Sequence, residues 1–320
     1  MAPTEHSAVA QPAVRSGASP SSPAIEVVDL AKSYGDLHAV DGVTFSVAPG
    51  EFFGILGPNG AGKTTTLEIL EGIRKADRGT VTVLGEPPWP RNPRLLPRIG
   101  VQLQASAFFD KLSAREQIQT FGALYGVPAT RALEWLDVVG LADKASTAEN
   151  KLSGGQRQRL SIACARVHDP EIVFLDEPTA ALDPQARRNL WDVMAGIQAR
   201  GTTVIYTTHY LDEAEALCDR VAIMDGGRIH ALDTPAALVR GLDAPTRVSL
   251  PARVLDVPTA RGLVGADAVE SADGEVVVST RSPAAVLTAL AEQNRLDGVS
   301  VRTATLEDVF LSLTGREFRA

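Results

Sequence analysis

The sequence predicts an α/β fold in which helices cover a parallel β-sheet, followed by a smaller α+β domain. Strand-like and helix-like patterns alternate through the first two-thirds of the chain, the order expected of such a sheet. A glycine-rich loop lies between a predicted strand, residues 51–56, and a predicted helix, residues 64–71. After Gly241 the pattern changes to short valine-rich runs around one helix, residues 283–293. Together these observations indicate two packed units of different architecture.

The chain is expected to have three parts. Residues 1–24 are rich in Ala, Ser and Pro and lack an apolar segment and a basic start, which favours a disordered tail over a secretory signal. Residues 25–240 form the main domain, with an all-helical insert at about 105–160. Residues 241–320 form the accessory α+β domain. The predicted strands are residues 25–28, 43–47, 51–56, 99–103, 172–175, 203–206, 221–224, 247–250, 275–279 and 299–302.

Composition excludes several classes of protein. The chain has 320 residues, 44% of them hydrophobic and 22% charged, which is ordinary for a globular protein. Its formal net charge of −8 argues against a general nucleic-acid binder. Apolar runs such as 172–175 are far shorter than the roughly 20 residues needed to cross a bilayer, so we expect no pore. Cys164 and Cys218 lie in apolar helical contexts and are interpreted as reduced packing residues.

The glycine-rich loop fits the pattern G-x-x-x-x-G-K-[ST] and has the strand and helix that this motif requires on either side. Successive backbone N–H groups and the helix N-terminus form a cradle for phosphate. Lys63 brings a full positive charge to the β- and γ-phosphates, and the Thr64 hydroxyl is placed to ligate Mg²⁺. The predicted cradle comprises Gly57, Pro58, Asn59, Gly60, Ala61, Gly62, Lys63, Thr64 and Thr65.

Two later segments narrow the class of nucleotide-binding protein. Leu152 and Arg157 bracket the residues Ser153, Gly154, Gly155 and Gln156, which precede a helix-like stretch at 158–167. Further on, the apolar run 172–175 leads into Asp176 and Glu177. This is typical of a strand buried on both faces whose end opens into a site. Carboxylates buried there imply an ion or a polar ligand.

In this order, the loop, the Ser-Gly-Gly segment and the carboxylate pair resemble the motifs of ATP-binding-cassette (ABC) ATPases. The resemblance covers about residues 25–240. It implies a P-loop cassette with a RecA-like core, an antiparallel β subdomain and a helical insert. It also implies that the chain binds ATP and Mg²⁺ and hydrolyses ATP.

The resemblance implies specific roles for individual residues. Asp176 and Gln104 would join Thr64 around Mg²⁺, and Glu177 would orient the attacking water; Gln102 is the alternative to Gln104. The further matches are His209 at the γ-phosphate, Tyr34 on the adenine, and Ser153, Gly154, Gly155, Gln156 and Asp183 at the shared nucleotide sites.

The residues leave other interpretations open. Ser153 alone could be a helix N-cap, Glu177 could cap the element after Pro178, and Tyr34 could be a core aromatic. The family commonly has Ser and Gly where this chain has Ala180 and Ala181, a departure that concerns the flexibility of this loop rather than nucleotide binding.

The resemblance also implies partners. In the family the Ser-Gly-Gly segment closes over the γ-phosphate held by an opposite subunit, so two copies form a head-to-tail homodimer. Without a membrane span, the chain is expected to act on a separate permease, docked between Gln104 and the insert near Phe108, Phe109 and Arg115. A buried core pair is the alternative for the two phenylalanines. This places the chain in the cytoplasm, at the inner face of the membrane.

The C-terminal segment narrows the resemblance further. Residues 305–315, with the small domain before them, resemble the extension of daunorubicin-resistance-type exporter subunits, whose permeases are of the ABC-2 type. The segment predicts an amphipathic helix capped by Thr305, packed against its own domain or a second copy. Leu306, Val309, Phe310 and Leu313 form its apolar face. We therefore expect an exporter of a drug, antibiotic or lipid-like substrate.

Two alternative functions fit the sequence less well. A non-transport ABC ATPase of the DNA-repair class would need a long coiled coil, and one of the ribosome-bound class would usually carry two cassettes and a basic linker. A regulatory module that binds ATP without hydrolysis is opposed by the presence of Asp176, Glu177 and His209.

Overall fold

The computed structural model describes residues 22–102 and 108–315. The strands are β1 (Ile25–Tyr34), β2 (Leu37–Val47), β3 (Phe52–Leu56), β4 (Arg78–Val83), β5 (Ile99–Gln102), β6 (Ile172–Asp176), β7 (Thr203–Thr208), β8 (Arg220–Asp225), β9 (Arg228–Asp233), β10 (Thr246–Pro251), β11 (Ala268–Ala272), β12 (Glu275–Thr280) and β13 (Ser300–Arg302). The α-helices are α1 (Lys63–Leu70), α2 (Ala114–Leu124), α3 (Ala129–Val138), α4 (Gly154–Arg166), α5 (Pro184–Gln198), α6 (Leu211–Leu217), α7 (Pro235–Gly241), α8 (Val257–Arg261), α9 (Pro283–Glu292) and α10 (Leu306–Thr314).

A six-stranded sheet in the order β5-β6-β7-β3-β8-β9 forms the centre of the molecule. Its first five strands are parallel, and β9 pairs antiparallel with β8 at the edge. Along β6, Ile172 and Phe174 join one hydrophobic core while Val173 and Leu175 join the other, on the opposite face. Burial on both faces explains the continuous apolar runs and confirms the predicted α/β class.

A three-stranded antiparallel sheet, β2-β1-β4, covers one face of the central sheet. The sequence predicted β1 only as far as residue 28, but its pairing with β2 continues to Tyr34. Asp29 takes a positive φ of 49° and the register shifts beside it, which interrupts the alternation that marks a strand. Strands β4 and β9 were missed because they lie at sheet edges with many exposed residues.

Helices α2, α3 and α4 follow β5; the sequence predicts an all-helical insert at about 105–160, and α4 continues beyond this segment to Arg166. The sequence placed the start of the last helix at 158, but α4 begins at Gly154. Ser153 caps it: the Ser153 hydroxyl accepts from the Gln156 N–H (3.3 Å), and the Gln156 side chain accepts from the Ser153 N–H (2.9 Å). The N-cap interpretation of Ser153 therefore holds in this conformation.

The accessory unit contains the four-stranded sheet β11-β12-β10-β13 with helices α8 and α9 on one face. Its order along the chain, β10-α8-β11-β12-α9-β13, is the ferredoxin-like βαββαβ arrangement. The sequence identified three of its strands and α9, but not β11, which is largely exposed, or the five-residue α8.

Helix α10 does not pack against the accessory unit, as one sequence interpretation had it. Leu306, Val309 and Phe310 are buried in the core that the cassette builds between the central sheet and the helical insert. The Leu306 N–H donates to Glu215 Oε1 on α6 (3.0 Å). The apolar face is thus covered within the same chain. Leu313, the fourth residue of the predicted face, is 39% exposed.

None of the helices in the described part of the chain is long and apolar enough to cross a membrane.

Candidate nucleotide-binding site

The phosphate loop joins β3 to α1, and two of its glycines have no room for a side chain. A Cβ at Gly57 would lie 2.1 Å from the Met224 carbonyl oxygen, and one at Gly62 would lie 2.1 Å from that of Ala39. Gly62 also has a φ of 103°, which other residues rarely adopt. As the N-cap of α1, Gly62 offers no side-chain acceptor to the first N–H groups of the helix. These donors are therefore left for an anionic ligand.

Lys63 is the first residue of α1, and its side chain is only 4% exposed. Its ammonium donates to the carbonyl oxygens of Gly57 (2.7 Å) and Pro58 (3.1 Å). It also lies 3.0 Å from Glu177 Oε1. A buried cation held by the loop itself fits the binding of a polyphosphate.

Asp176 ends β6 beside the start of α1. Its Oδ1 accepts from the Thr207 hydroxyl at 2.6 Å and its Oδ2 from the Thr64 hydroxyl at 3.1 Å. Burial raises the pKa of the Asp176 carboxyl, and these two hydrogen bonds oppose the rise. A carboxylate and a hydroxyl held together are the oxygen ligands that Mg²⁺ prefers, so the residues present fit this ion.

Glu177 follows Asp176 with a positive φ of 42°, so the chain turns sharply at the end of the strand. The turn brings Glu177 Oε2 to 2.9 Å from His209 Nδ1 while Oε1 lies against Lys63. The Glu177 N–H donates to the Thr207 hydroxyl (2.9 Å). Two side chains, Lys63 at the start of α1 and His209 after β7, thus converge on one carboxylate, and Thr207 holds the backbone beside it.

Of the remaining predicted site residues, Tyr34 and Asp183 are described by the structure and Gln104 is not. Tyr34 is 41% exposed, with the Lys32 ammonium 5.7 Å and the Arg74 guanidinium 5.2 Å from its ring centre, so it is not a core aromatic. Asp183 caps α5 by accepting from two backbone N–H groups. Gln104 falls outside the described residues; its alternative, Gln102, is buried at the end of β5.

The Ser-Gly-Gly segment faces α5 rather than the loop of its own chain. A Cβ at Gly155 would lie 2.9 Å from Ala186 Cβ, and one at Gly154 would lie 3.9 Å from a Leu182 methyl group. Within the described residues, the hydrogen bonds of the Ser153 and Gln156 side chains close the cap of α4 and do not reach the phosphate loop.

Sequence reasoning missed a buried polar network behind His209. Glu213 is fully buried and accepts from the hydroxyls of Tyr206 and Thr208 (2.6 Å for Thr208). The Arg187 guanidinium lies 3.6 Å from Glu213 Oε1 and 3.9 Å from the centre of the Tyr210 ring. Hydroxyl-bearing residues in a strand buried on both faces were the available signal, because buried polar groups need partners.

Ala181, in the loop after Glu177, adopts a φ of 62°, a region that disfavours any residue with a Cβ. We expect Ala181→Gly to raise the free energy of unfolding by about 0.5–1 kcal/mol, because relief of this strain exceeds the entropy that glycine adds to the unfolded chain. Urea denaturation measures the change. Ala180→Gly is the matched control, since Ala180 has no positive φ and should lose stability; equal losses at both positions would contradict the prediction.

Comparisons with known proteins place this geometry in a family. A protein-family model described as "ABC transporter" matches residues 40–180 of the chain. A second family model, described as "AAA domain, putative AbiEii toxin, Type IV TA system", matches residues 150–211. Nod factor export ATP-binding protein I of Ralstonia nicotianae is 38% identical over 93% of this chain and 96% of its own length. The linearmycin resistance ATP-binding protein LnrL of Bacillus subtilis is 34% identical over 92% of this chain and 99% of its own length.

Solved structures agree with this placement. The dimeric, post-hydrolysis structure of the ATP-binding cassette MJ0796, bound to ADP and phosphate, superimposes with a TM-score of 0.60 at 27% identity. The match covers 66% of this chain and 98% of that one. Fold and site define a nucleotide-binding cassette ATPase. The chain belongs to the ABC transporter family, as one of its ATP-binding proteins, and cassettes of this family bind and hydrolyse ATP.

Proposed function

We propose that this chain is the motor of an exporter, hydrolysing ATP to drive a separate permease of the ABC-2 type. The observation that carries the proposal is the convergence of Lys63 and His209 on the two oxygens of Glu177, at 3.0 and 2.9 Å. The names of the two curated relatives, which refer to Nod factor export and linearmycin resistance, support export. A drug, antibiotic or lipid-like molecule is the substrate class proposed.

In this proposal Glu177 orients the attacking water and draws away its proton. Lys63 and the N–H groups of the loop stabilise the negative charge of the transferred phosphoryl group, and His209 holds the γ-phosphate. Thr64 and Asp176 hold Mg²⁺, together with Gln104, and bound Mg²⁺ neutralises charge on the phosphate oxygens. Tyr34 stacks on the adenine.

The proposed working form is a homodimer. Ser153 and Gly154 are exposed, and the described contacts of the Ser153 side chain do not reach the phosphate loop of its own chain, which leaves this segment accessible to the site of an opposite subunit. The dimeric cassette MJ0796 with ADP and phosphate supports this arrangement. Asp183, at the start of α5, would pass the state of one site to the other.

The permease is proposed to dock at the groove between the central sheet and the helical insert. A cavity of about 640 Å³ lies there, lined by Trp89, Phe108, Phe121 and Tyr125 among other residues. Phe108 packs on the core, whereas Phe109 is 48% exposed with its ring 5.8 Å from that of Phe121. Phe108 therefore fits the interpretation as a core residue, and Phe109 fits the interpretation as an exposed docking residue. Docking there would hold the chain at the inner face of the membrane.

Phe109→Ala is expected to weaken binding to the cognate ABC-2-type permease at least about tenfold, as for an aromatic anchor of an interface. Co-purification of the detergent-solubilised complex, quantified over a range of concentrations, measures the loss. Val264→Ala removes an exposed apolar side chain from the accessory unit and should bind like the wild type. If the two variants bind equally well, this groove is not the docking site, although the ATPase assignment is unaffected.

A regulatory module that binds ATP without turnover is the second candidate function. The complete set of Lys63, Glu177 and His209 disfavours it. Steady-state ATP hydrolysis by the purified chain, with and without the permease, separates the two candidates.

A further inference from the structure

Two arginines of the accessory sheet occupy adjacent positions that folding alone does not favour. Arg247 on β10 and Arg302 on β13 are directly opposite each other in the antiparallel register. Side chains so placed have Cβ atoms about 5 Å apart, and like charges there are destabilising. An anion bound between the two guanidinium groups would offset this repulsion.

Both arginines lie on the face of the sheet that α8 and α9 leave uncovered. Val248 and Leu250 are fully buried beneath the two helices, so alternation along β10 turns Arg247 to the opposite face. Because cross-strand partners share a face, Arg302 projects from the same side.

Neither guanidinium has a partner within the described part of the chain. Among residues 22–102 and 108–315, no hydrogen bond or ion pair reaches Arg247 or Arg302. Two carboxylates line the same cavity. That of Asp308 is occupied, since it accepts from the Thr305 N–H (2.9 Å) and hydroxyl (3.0 Å) at the start of α10. Glu307 makes no ion pair with either arginine.

The cavity has a volume of about 550 Å³, within the usual range for a small-molecule site. It lies between the uncovered face of the sheet and the first turn of α10. Its walls are formed by Ala244, Pro245, Arg247, Ser279, Val301, Arg302, Thr303, Ala304, Thr305, Glu307 and Asp308. The hydroxyl groups and guanidinia make this lining rich in hydrogen-bond donors.

We propose that this cavity binds a phosphate monoester, whose phosphate group bridges Arg247 and Arg302. Guanidinium groups match the geometry of phosphate oxygens through paired N–H donors. A monoester carries a charge of −1.5 to −2 at neutral pH, about enough to balance two arginines. Glu307 accepts a hydrogen bond from a hydroxyl group of the alcohol portion.

The position of the site connects two parts of the molecule. A bound ester contacts the accessory sheet through the arginines and the start of α10 through Glu307. Helix α10 packs on α6 and α7 of the cassette, where Leu306 is hydrogen-bonded to Glu215. Occupancy therefore stabilises the junction between the accessory unit and the cassette.

Isothermal titration calorimetry with sn-glycerol 3-phosphate tests the site, using the full chain with saturating ADP to occupy the phosphate loop. We expect Arg247→Gln/Arg302→Gln to bind at least about tenfold more weakly than wild type, because charge-assisted hydrogen bonds are lost. The control Arg253→Gln/Arg261→Gln removes the same charge from exposed positions outside the cavity and should stay within about twofold of wild type.

A second measurement separates binding from misfolding. In phosphate-free buffer the cavity double variant should melt no lower than wild type, since a like-charged pair is removed. The ester should then raise the Tm of wild type but not that of the variant. Flotation with vesicles of phosphatidic acid, compared with phosphatidylcholine, shows whether the phosphate group belongs to a lipid. Equal binding by all three proteins, or none by wild type to either probe, overturns the proposal.

Discussion

Glu177→Gln is expected to lower steady-state ATP turnover at least about a hundredfold, the usual contribution of a positioned base. The amide keeps the shape of the carboxylate, so it can still contact Lys63 and His209, but it no longer takes a proton from water. ATP binding should survive, because the phosphate loop and Lys63 are unchanged. Phosphate release by the purified chain measures turnover.

The same variant should accumulate as a dimer on size-exclusion chromatography in ATP, because the contacts that ATP supplies across the interface are not removed by hydrolysis. Glu171→Gln is the matched control: this exposed glutamate precedes the same strand at its other end and pairs with Arg98. It should retain turnover within about twofold. Full turnover by Glu177→Gln would assign the water-orienting role to another group.

The second large effect concerns Glu71, which follows α1 and is only 6% exposed. Its Oε1 has no hydrogen-bond partner among the described residues. Burial raises the pKa of this carboxyl from 4.5 to about 8, and the charges of Asp176 and Glu68 add to the rise. The folded protein therefore binds this proton more tightly than the unfolded chain does.

The sign of the pH dependence follows from this rise. The stability contributed by protonated Glu71 is fully present below pH 4.5 and is lost as the pH approaches about 8. A shift of this size corresponds to roughly 3–5 kcal/mol. Glu71→Gln should remove that part of the dependence and be the more stable protein at pH 8.5.

Urea denaturation of wild type and Glu71→Gln at pH 5.5 and pH 8.5 measures the effect as the difference between the two proteins, which cancels the other titrating groups. Glu292→Gln, a change at an exposed glutamate of the accessory unit, should leave the pH dependence of wild type intact. Parallel curves for wild type and Glu71→Gln would mean that Glu71 is ionised in the folded protein.

The sequence predicted those parts of the fold that local pattern determines. The apolar run before Asp176 identified β6, and the glycine spacing identified the loop that the structure places between β3 and α1. The sequence pattern missed β4 and β9, which are short edge strands with many exposed residues and become strands through pairing with β1 and β8. It also gave no indication that α10 would pack on the cassette.

The candidate site was predictable to a similar extent. Motif order indicated Lys63, Asp176, Glu177 and His209, and the structure brings these side chains close together; their catalytic roles remain predictions. The support of this site by Thr207 and Glu213 depends on contacts between separate elements, which no local spacing encodes. The raised pKa of Glu71 likewise depends on burial that only the folded chain creates.

The packing of α10 on α6 and α7 means that both ends of the accessory unit are anchored to the cassette. The chain leaves at α7 and returns at α10, so in topological terms the βαββαβ unit is inserted between two cassette helices. Truncating the chain after Gly241 would remove Leu306, Val309 and Phe310 from the core and expose an apolar surface on the cassette. An internal deletion of residues 244–303, bridged by a flexible linker, would keep α10 packed on the cassette and this apolar surface covered.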